Sequence, residues 1–300
     1  MSAPGPRAFA ALLGLACLFA GNHIAARVAM DHGVSVSTAA AARSLSTAIV
    51  VGALVWWARP ALAVSTRQWR VLVALGALLT VQTLSVYASV ARIPVGLALL
   101  AFNLYPLCAA AWAALLYRHR PERAVRVAIP VILAGLALAL DVAGAASGLG
   151  ARAQWSQIGA GVGFAVLAAV SFGLVLALTQ HEVGALDGRF RSAFTMSIVG
   201  VCALALTLSQ GGPHWPDAPI GWWGLAGLSA LYGTAFTLTF VLLPRLGVVG
   251  NSPIMSVEPV IALALGWALL DQLVKPVQWV GAVLVVGAVM GLGLRRSPRR

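Results

Sequence analysis

The chain reads as an all-α integral membrane protein with ten transmembrane helices in two inverted five-helix repeats. Three observations predict this. The first is composition: of 300 residues, 60% are hydrophobic and 9% charged, with a mean hydropathy of +0.92, whereas a soluble domain carries about a quarter charged residues. The second is that the apolar residues fall into ten runs near the roughly 20 residues that a bilayer core requires of a helix. The third is an internal echo. Residues 92–116, beginning RIPVGLALLAFNLYP, lie over residues 245–269, beginning RLGVVGNSPIMSVEP, at a constant shift of 153 without a gap. Arg92 then meets Arg245, Val95 meets Val248, Pro106 meets Pro259, Ala109 meets Ala262, Ala111 meets Ala264 and Leu116 meets Leu269. A repeat of about half the chain length is the signature of a duplicated fold, so 1–150 and 151–300 are read as the two copies.

The spans follow in order. The first, 8–28, is not a signal peptide, because only Arg7 precedes it and it runs into Asn22, His23 and Arg27 instead of a small-residue cleavage site. The second, 38–58, carries Arg43 and ends on Trp56 and Trp57. The third, 70–91, holds Gln82 and Tyr87; the fourth, 94–117, holds Asn103, Tyr105, Pro106 and Trp112. The fifth covers 125–143 and the sixth 157–180, with Ser171 and Phe172. The seventh, 191–210, is followed by the eighth, 220–243, with Tyr232, Thr234 and Thr237. The ninth, 250–270, contains Glu258 and Pro259, and the tenth is 276–294. The longest connections, 144–156 and 211–219, are rich in Gly, Ala, Ser or Pro and leave no room for a soluble domain.

Charge sets the orientation. With the N-terminus inside, 15 of the 20 Lys and Arg fall in inner segments; the other five are Arg27, Arg43, Arg92, Arg152 and Lys275. This asymmetry places both termini in the cytoplasm, and tryptophans at the span ends suit the headgroup layers. The net charge of +12 is thus a topology signal and not a nucleic-acid surface; no nucleic-acid partner is expected. Five spans per copy invert the second copy relative to the first, an architecture suited to secondary transport. Cys17, Cys108 and Cys202 sit singly in apolar runs without metal-ligand or redox spacing, so neither a metal nor a cofactor is expected.

AGNHIAARVA in the first span, GTAFTLTFVLLPRLGVVGNSPIMSVEPVIALALGWALLDQ and the closing QWVGAVLVVGAVMGL resemble the EamA family of the drug/metabolite transporter superfamily. The likeness covers nearly the whole chain, and its most specific piece is Glu258-Pro259-Val260 followed by a small-residue helix. The family usually places a glutamate after that helix; this chain has Asp271, with Arg118 at the corresponding place of the first copy. The resemblance implies two five-helix repeats and export of small metabolites, often amino acids, without ATP. The expected location is the bacterial inner membrane, with lipid and a small-molecule substrate as partners.

Ionisable and polar groups inside spans are the candidates for binding. Asn22, His23 and Arg27 cluster in the outer half of span 1, and Arg43 lies about a turn into span 2, so the group can receive a substrate carboxylate; alternatively Arg27 snorkels to outer headgroups. Glu258 is the one acidic residue well inside a span. It can hold a substrate ammonium, titrate with protons, or form a buried structural pair with Arg43 or another cation. Gln82, Tyr87, Asn103, Tyr105, Trp112, Ser171, Phe172, Tyr232 and Thr234, with Thr237, are further cavity candidates, each open to a packing role. Pro106 and Pro259 are candidate gating kinks or static ones. The GxxxG pairs Gly159/Gly163 and Gly287/Gly291 suit close helix packing, with a homodimer seam as the alternative. These features favour an alternating-access exporter of amino acids or related zwitterions. A multidrug or nucleoside/purine-type exporter is the alternative within transport. An intramembrane lipid-modifying enzyme is disfavoured, since paired carboxylates and HExxH are absent.

Overall fold

A computed structural model describes residues 6–60, 63–118, 123–245 and 256–295. Eleven α-helices and no strand occur among the described residues: α1 (Pro6–Asp31), α2 (Val36–Ala58), α3 (Thr66–Val90), α4 (Val95–Phe102), α5 (Tyr105–Tyr117), α6 (Arg123–Ala139), α7 (Ala151–Glu182), α8 (Gly188–Ser209), α9 (Pro219–Arg245), α10 (Glu258–Leu270) and α11 (Pro276–Arg295). Among the described residues, six segments are long and apolar enough to cross a membrane, and 127–139, 258–270 and 276–291 form shorter apolar helices. The protein is an integral membrane protein. The start of the expected ninth span, 250–255, and the basic residues Arg120, Arg296, Arg299 and Arg300 lie outside the described residues.

Local chemistry sets the helix ends. Ser35 caps α2 by accepting from the Thr38 backbone N–H, and Ser65 with Gln68 forms a reciprocal capping box on α3. Asp187 caps α8, its carboxylate accepting from the Arg189 N–H at 2.8 Å and from the Arg189 guanidinium at 2.7 Å. This guanidinium bond holds the Asp187 carboxyl below the usual carboxylate range.

The expected fourth span is divided. Its helix breaks at Asn103–Leu104, so α4 and α5 are separate pieces with Pro106 at the second position of α5. Pro259 stands at the second position of α10. Both prolines therefore sit in a first helical turn, where a missing N–H leaves no bond unmade, and Pro106 follows directly on the break within the fourth span. α5 and α10 have 13 residues each, begin and end 153 apart, and stop at left-handed residues, Arg118 (φ 55) and Asp271 (φ 51). The N–H of Arg118 bonds the Ala113 carbonyl and that of Asp271 the Gly266 carbonyl.

Helices from the two sequence halves pack against each other: α1 on α9, α2 on α8, α3 on α7 and α6 on α11, with α4 crossing α10. Glycines permit the closest approaches. A Cβ on Gly96 of α4 would stand 2.7 Å from the Cα of Leu263 in α10, and one on Gly135 of α6 would stand 2.9 Å from the Gly281 carbonyl oxygen in α11. The expected GxxxG contacts are not made among the described residues. A Cβ on Gly163, Gly287 or Gly291 would meet nothing within 4 Å, and one on Gly159 would meet only Trp155 of its own helix. Tight seams between helices run through other glycines, Gly96, Gly135 and Gly281 among them. Trp56, Trp57, Trp215, Trp222 and Trp223 are exposed at helix ends, as interfacial indoles are.

Candidate binding site

Phe19, Asn22 and His23 share one face of α1 through their i, i+3, i+4 spacing. That face meets α9 and α10 and, more lightly, α2 and α3. Asn22 is fully buried and His23 nearly so. The Tyr87 hydroxyl of α3 donates to Asn22 Oδ1 at 3.4 Å, which leaves Asn22 Nδ2 buried and without a partner. His23 lies edge-on to the Tyr87 ring, and its Nε2 stands 3.6 Å from the Glu258 carboxylate, while its Nδ1 is unpartnered.

Arg43 is 4% exposed. Its guanidinium stacks over the Tyr232 ring at 3.9 Å, lies 5.2 Å from the Tyr87 ring centre, and donates through Nη2 to Thr83 Oγ1 at 2.9 Å. Its Nε has no partner, and among the described residues no carboxylate forms an ion pair with it. The structural pair of Arg43 with Glu258 that the sequence left open is therefore not formed; Glu258 faces His23. A buried cation lacking a counter-ion is costly, and the rings with the Thr83 and Tyr87 hydroxyls offset that cost only in part.

A second wall adjoins this cluster. The Tyr105 ring lies 5.4 Å from Phe102 and 5.2 Å from Phe172, and Phe102 lies 5.6 Å from Phe172. Glu258 is within electrostatic reach of both Tyr105 and Tyr232. Asn103, at the α4–α5 break, is 3% exposed with Nδ2 unpartnered. Asn22, His23, Arg43, Tyr87, Tyr232 and Glu258 thus come together, with Asn103, Tyr105 and Phe172 beside them. Thr83, Phe19 and Phe102 also belong here. The spacing of Phe19 to Asn22 and His23 was the signal for one of them; nothing in the sequence announced Thr83.

Other candidates stand elsewhere or in packing roles. Arg27 is held by Asp31 at 2.8 Å and donates to the Val90 carbonyl at 2.9 Å, so it ties the end of α1 to the end of α3. Trp112 donates to the Val170 carbonyl at 3.1 Å and packs α5 on α7. Gln82 is half-buried and accepts from Thr83, and Ser171 is buried in α7. Thr234 is exposed and lines a shallow groove with Ser46 and Val50 between α2 and α9. Thr237 bonds back to the Gly233 carbonyl. No group of three metal-ligating side chains occurs among the described residues.

The EamA-like transporter family matches residues 7–140 and again residues 159–294. The chain belongs to that family. The threonine/homoserine exporter RhtA of Salmonella typhimurium strain SL1344 is 26% identical over 225 residues, spanning 71% of this chain and 68% of that protein. Its counterpart from strain LT2 matches equally. A solved crystal structure shares the fold at a TM-score of 0.62 and 19% identity, covering 94% of this chain and 97% of the other. Membership makes the chain a transporter of that superfamily.

Proposed function

We propose that the protein is a secondary exporter of amino acids or related small zwitterions in a bacterial inner membrane, working by alternating access of two inverted five-helix halves with both termini cytoplasmic. The observation that carries the substrate class is Arg43, a buried cation with a free Nε and no carboxylate ion pair among the described residues, in a cluster whose carboxylate is the half-buried Glu258. A substrate carboxylate supplies the counter-ion that Arg43 lacks, with Asn22 Nδ2 as a second donor. The substrate ammonium lies against Glu258 and the neighbouring rings, where carboxylate and π faces both favour a cation.

The exporter relatives support the direction of flux. The helix pairing supports the inverted halves, because exchanging the five spans of one half for those of the other maps the contact of α1 with α9 onto that of α7 with α3. It likewise maps α2 with α9 onto α8 with α3, and returns α2 with α8 and α6 with α11 to themselves. A duplicated, inverted pair of halves gives two openings related by the same exchange.

The test is flux through purified protein in liposomes, against neutral amino acids, purines and cationic drugs, with and without a pH gradient. Saturable flux of amino acids is expected, falling at least tenfold in Glu258→Gln. Saturable flux of purines or drugs alone, or of nothing in the panel, would refute the reading.

A further inference from the structure

A planar cation is held in place by two restraints, one that sets its plane and one that stops it turning within that plane. The Arg43 guanidinium has both, and they come from different helices. The Tyr232 ring of α9 lies against it at 3.9 Å and sets the plane. The in-plane restraint comes from α3, where Thr83 and Tyr87 stand four residues apart on one face. Thr83 Oγ1 accepts from Arg43 Nη2 at 2.9 Å, and the Tyr87 hydroxyl supports the same guanidinium.

The two hydroxyls are not equivalent. A guanidinium only donates, so Thr83 must pass its own proton onward, and it donates to Gln82 Oε1 at 3.3 Å. Both sides of the Thr83 hydroxyl are thus engaged, in a residue 2% exposed. The Tyr87 hydroxyl is shared with Asn22, to whose Oδ1 it donates at 3.4 Å. The repeat gives an independent indication. A shift of 153 carries the first residue of α3, Thr66, onto the first of α9, Pro219, and puts Met196 at the place of Arg43 and Phe236 at that of Thr83. The copy without the cation also lacks its acceptor, so guanidinium and hydroxyl occur as a unit.

We infer that Thr83 is a positioning residue for substrate binding. It holds the guanidinium by Nη2 and so leaves Nε, buried and unpartnered, for the substrate carboxylate. Thr83 acts through Arg43 and does not itself touch the substrate. This inference rests on the exporter reading above. With the hydroxyl in place, Arg43 is ordered during folding and not at the moment of binding, which is how preorganisation strengthens affinity. With the hydroxyl gone, the guanidinium turns more freely over the Tyr232 ring, and the substrate itself must order it.

The test is proteoliposome flux of radiolabelled neutral amino acids, with KM and kcat taken on the one that the wild-type protein carries best. Thr83→Val keeps the shape and removes the hydroxyl. Its KM should rise about three- to tenfold, the effect of ordering one long side chain on binding, with kcat within about twofold of wild type. Thr83→Ser keeps the hydroxyl and should hold KM within about twofold of wild type. An unchanged KM in Thr83→Val, or a lower one because the carboxylate takes the freed Nη2, overturns the assignment. Equal impairment of Thr83→Val and Thr83→Ser overturns it by assigning the position to packing, and a fall in kcat alone does so by assigning the hydroxyl to helix movement. Thr83→Ala replaces Thr83→Val if the latter does not fold; failure of both to fold makes the hydroxyl a stability element and overturns the assignment too. In all of these outcomes wild-type flux leaves the exporter reading standing. Absence of flux for every amino acid in the wild type removes the exporter reading and this assignment together.

Discussion

Replacing Arg43 by methionine should separate stability from transport, because the two are predicted to respond differently. In the folded protein the substitution removes a charged hydrogen bond from Nη2 to Thr83, worth about 1.5–3 kcal/mol, and the stack on Tyr232, worth about 2 kcal/mol when desolvated. Against this, it relieves the burial of a guanidinium that has no carboxylate beside it, a penalty of several kcal/mol in a real protein. Thr83 keeps a partner, since its hydroxyl also reaches Gln82 Oε1 at 3.3 Å, and the methionine stem refills the space between the rings. The net change in stability should lie within about 2 kcal/mol of zero. Transport loses one side of a buried charge-assisted contact, about 2–5 kcal/mol, which is about a 30- to 4,000-fold fall in flux at limiting substrate. Denaturant unfolding in detergent, followed by tryptophan fluorescence, gives the first quantity, and proteoliposome flux gives the second. A variant destabilised by more than about 4 kcal/mol that still transports at the wild-type rate would show Arg43 to be a structural strut, and the reasoning would fall.

Gly96→Ala should cost about 1–3 kcal/mol in the same unfolding assay, because the new methyl meets the Leu263 Cα at 2.7 Å and a backbone atom has no rotamer to retreat into; a change below about 0.5 kcal/mol would mean that α4 and α10 separate freely. Asp187→Asn tests the α8 cap. Its carboxyl titrates below the usual range because it bonds Arg189, so the charged cap stabilises fully above the ordinary carboxylate pKa and is lost as pH falls through the depressed folded value. Asparagine still caps the helix, so wild type should exceed the variant only by the charge contribution, about 0.3–1 kcal/mol at neutral pH, with the gap closing in strong acid. A gap that is the same at both ends of that range would assign it to something other than this charge.

The sequence carried the membrane class and pointed to Asn22, His23, Arg43 and Glu258, which the fold brings together, because ionisable groups in apolar runs stand out against their surroundings. It also held a clue that went unused. Arg27 precedes Asp31 by four residues, a spacing that pairs them on one helix face and takes Arg27 out of the site. Partnerships across helices were not legible: His23 with Glu258 joins residues 235 positions apart in the chain, and Arg43 finds Thr83 and Tyr232 only once α2, α3 and α9 have packed. The GxxxG pairs misled for a related reason. The motif describes what one helix can offer, whereas a seam also needs a partner at the same height, which Gly135 and Gly281 provide for each other.

The pairing of α3 with α7, α2 with α8 and α1 with α9 has a consequence for biogenesis. These pairs are nested, like the rungs of a hairpin, so helices emerging from the ribosome meet their partners in reverse order of synthesis. α7 finds α3, then α8 finds α2, and only the arrival of α9 covers α1. Until then the face of α1 that carries Asn22 and His23 has only Tyr87 of α3 beside it, and His23 meets Glu258 only when α10 follows. α6 is outside the nest and waits for α11, the last helix made. A ribosome that stops after α8 therefore leaves α1 without α9 and α10, and His23 without Glu258.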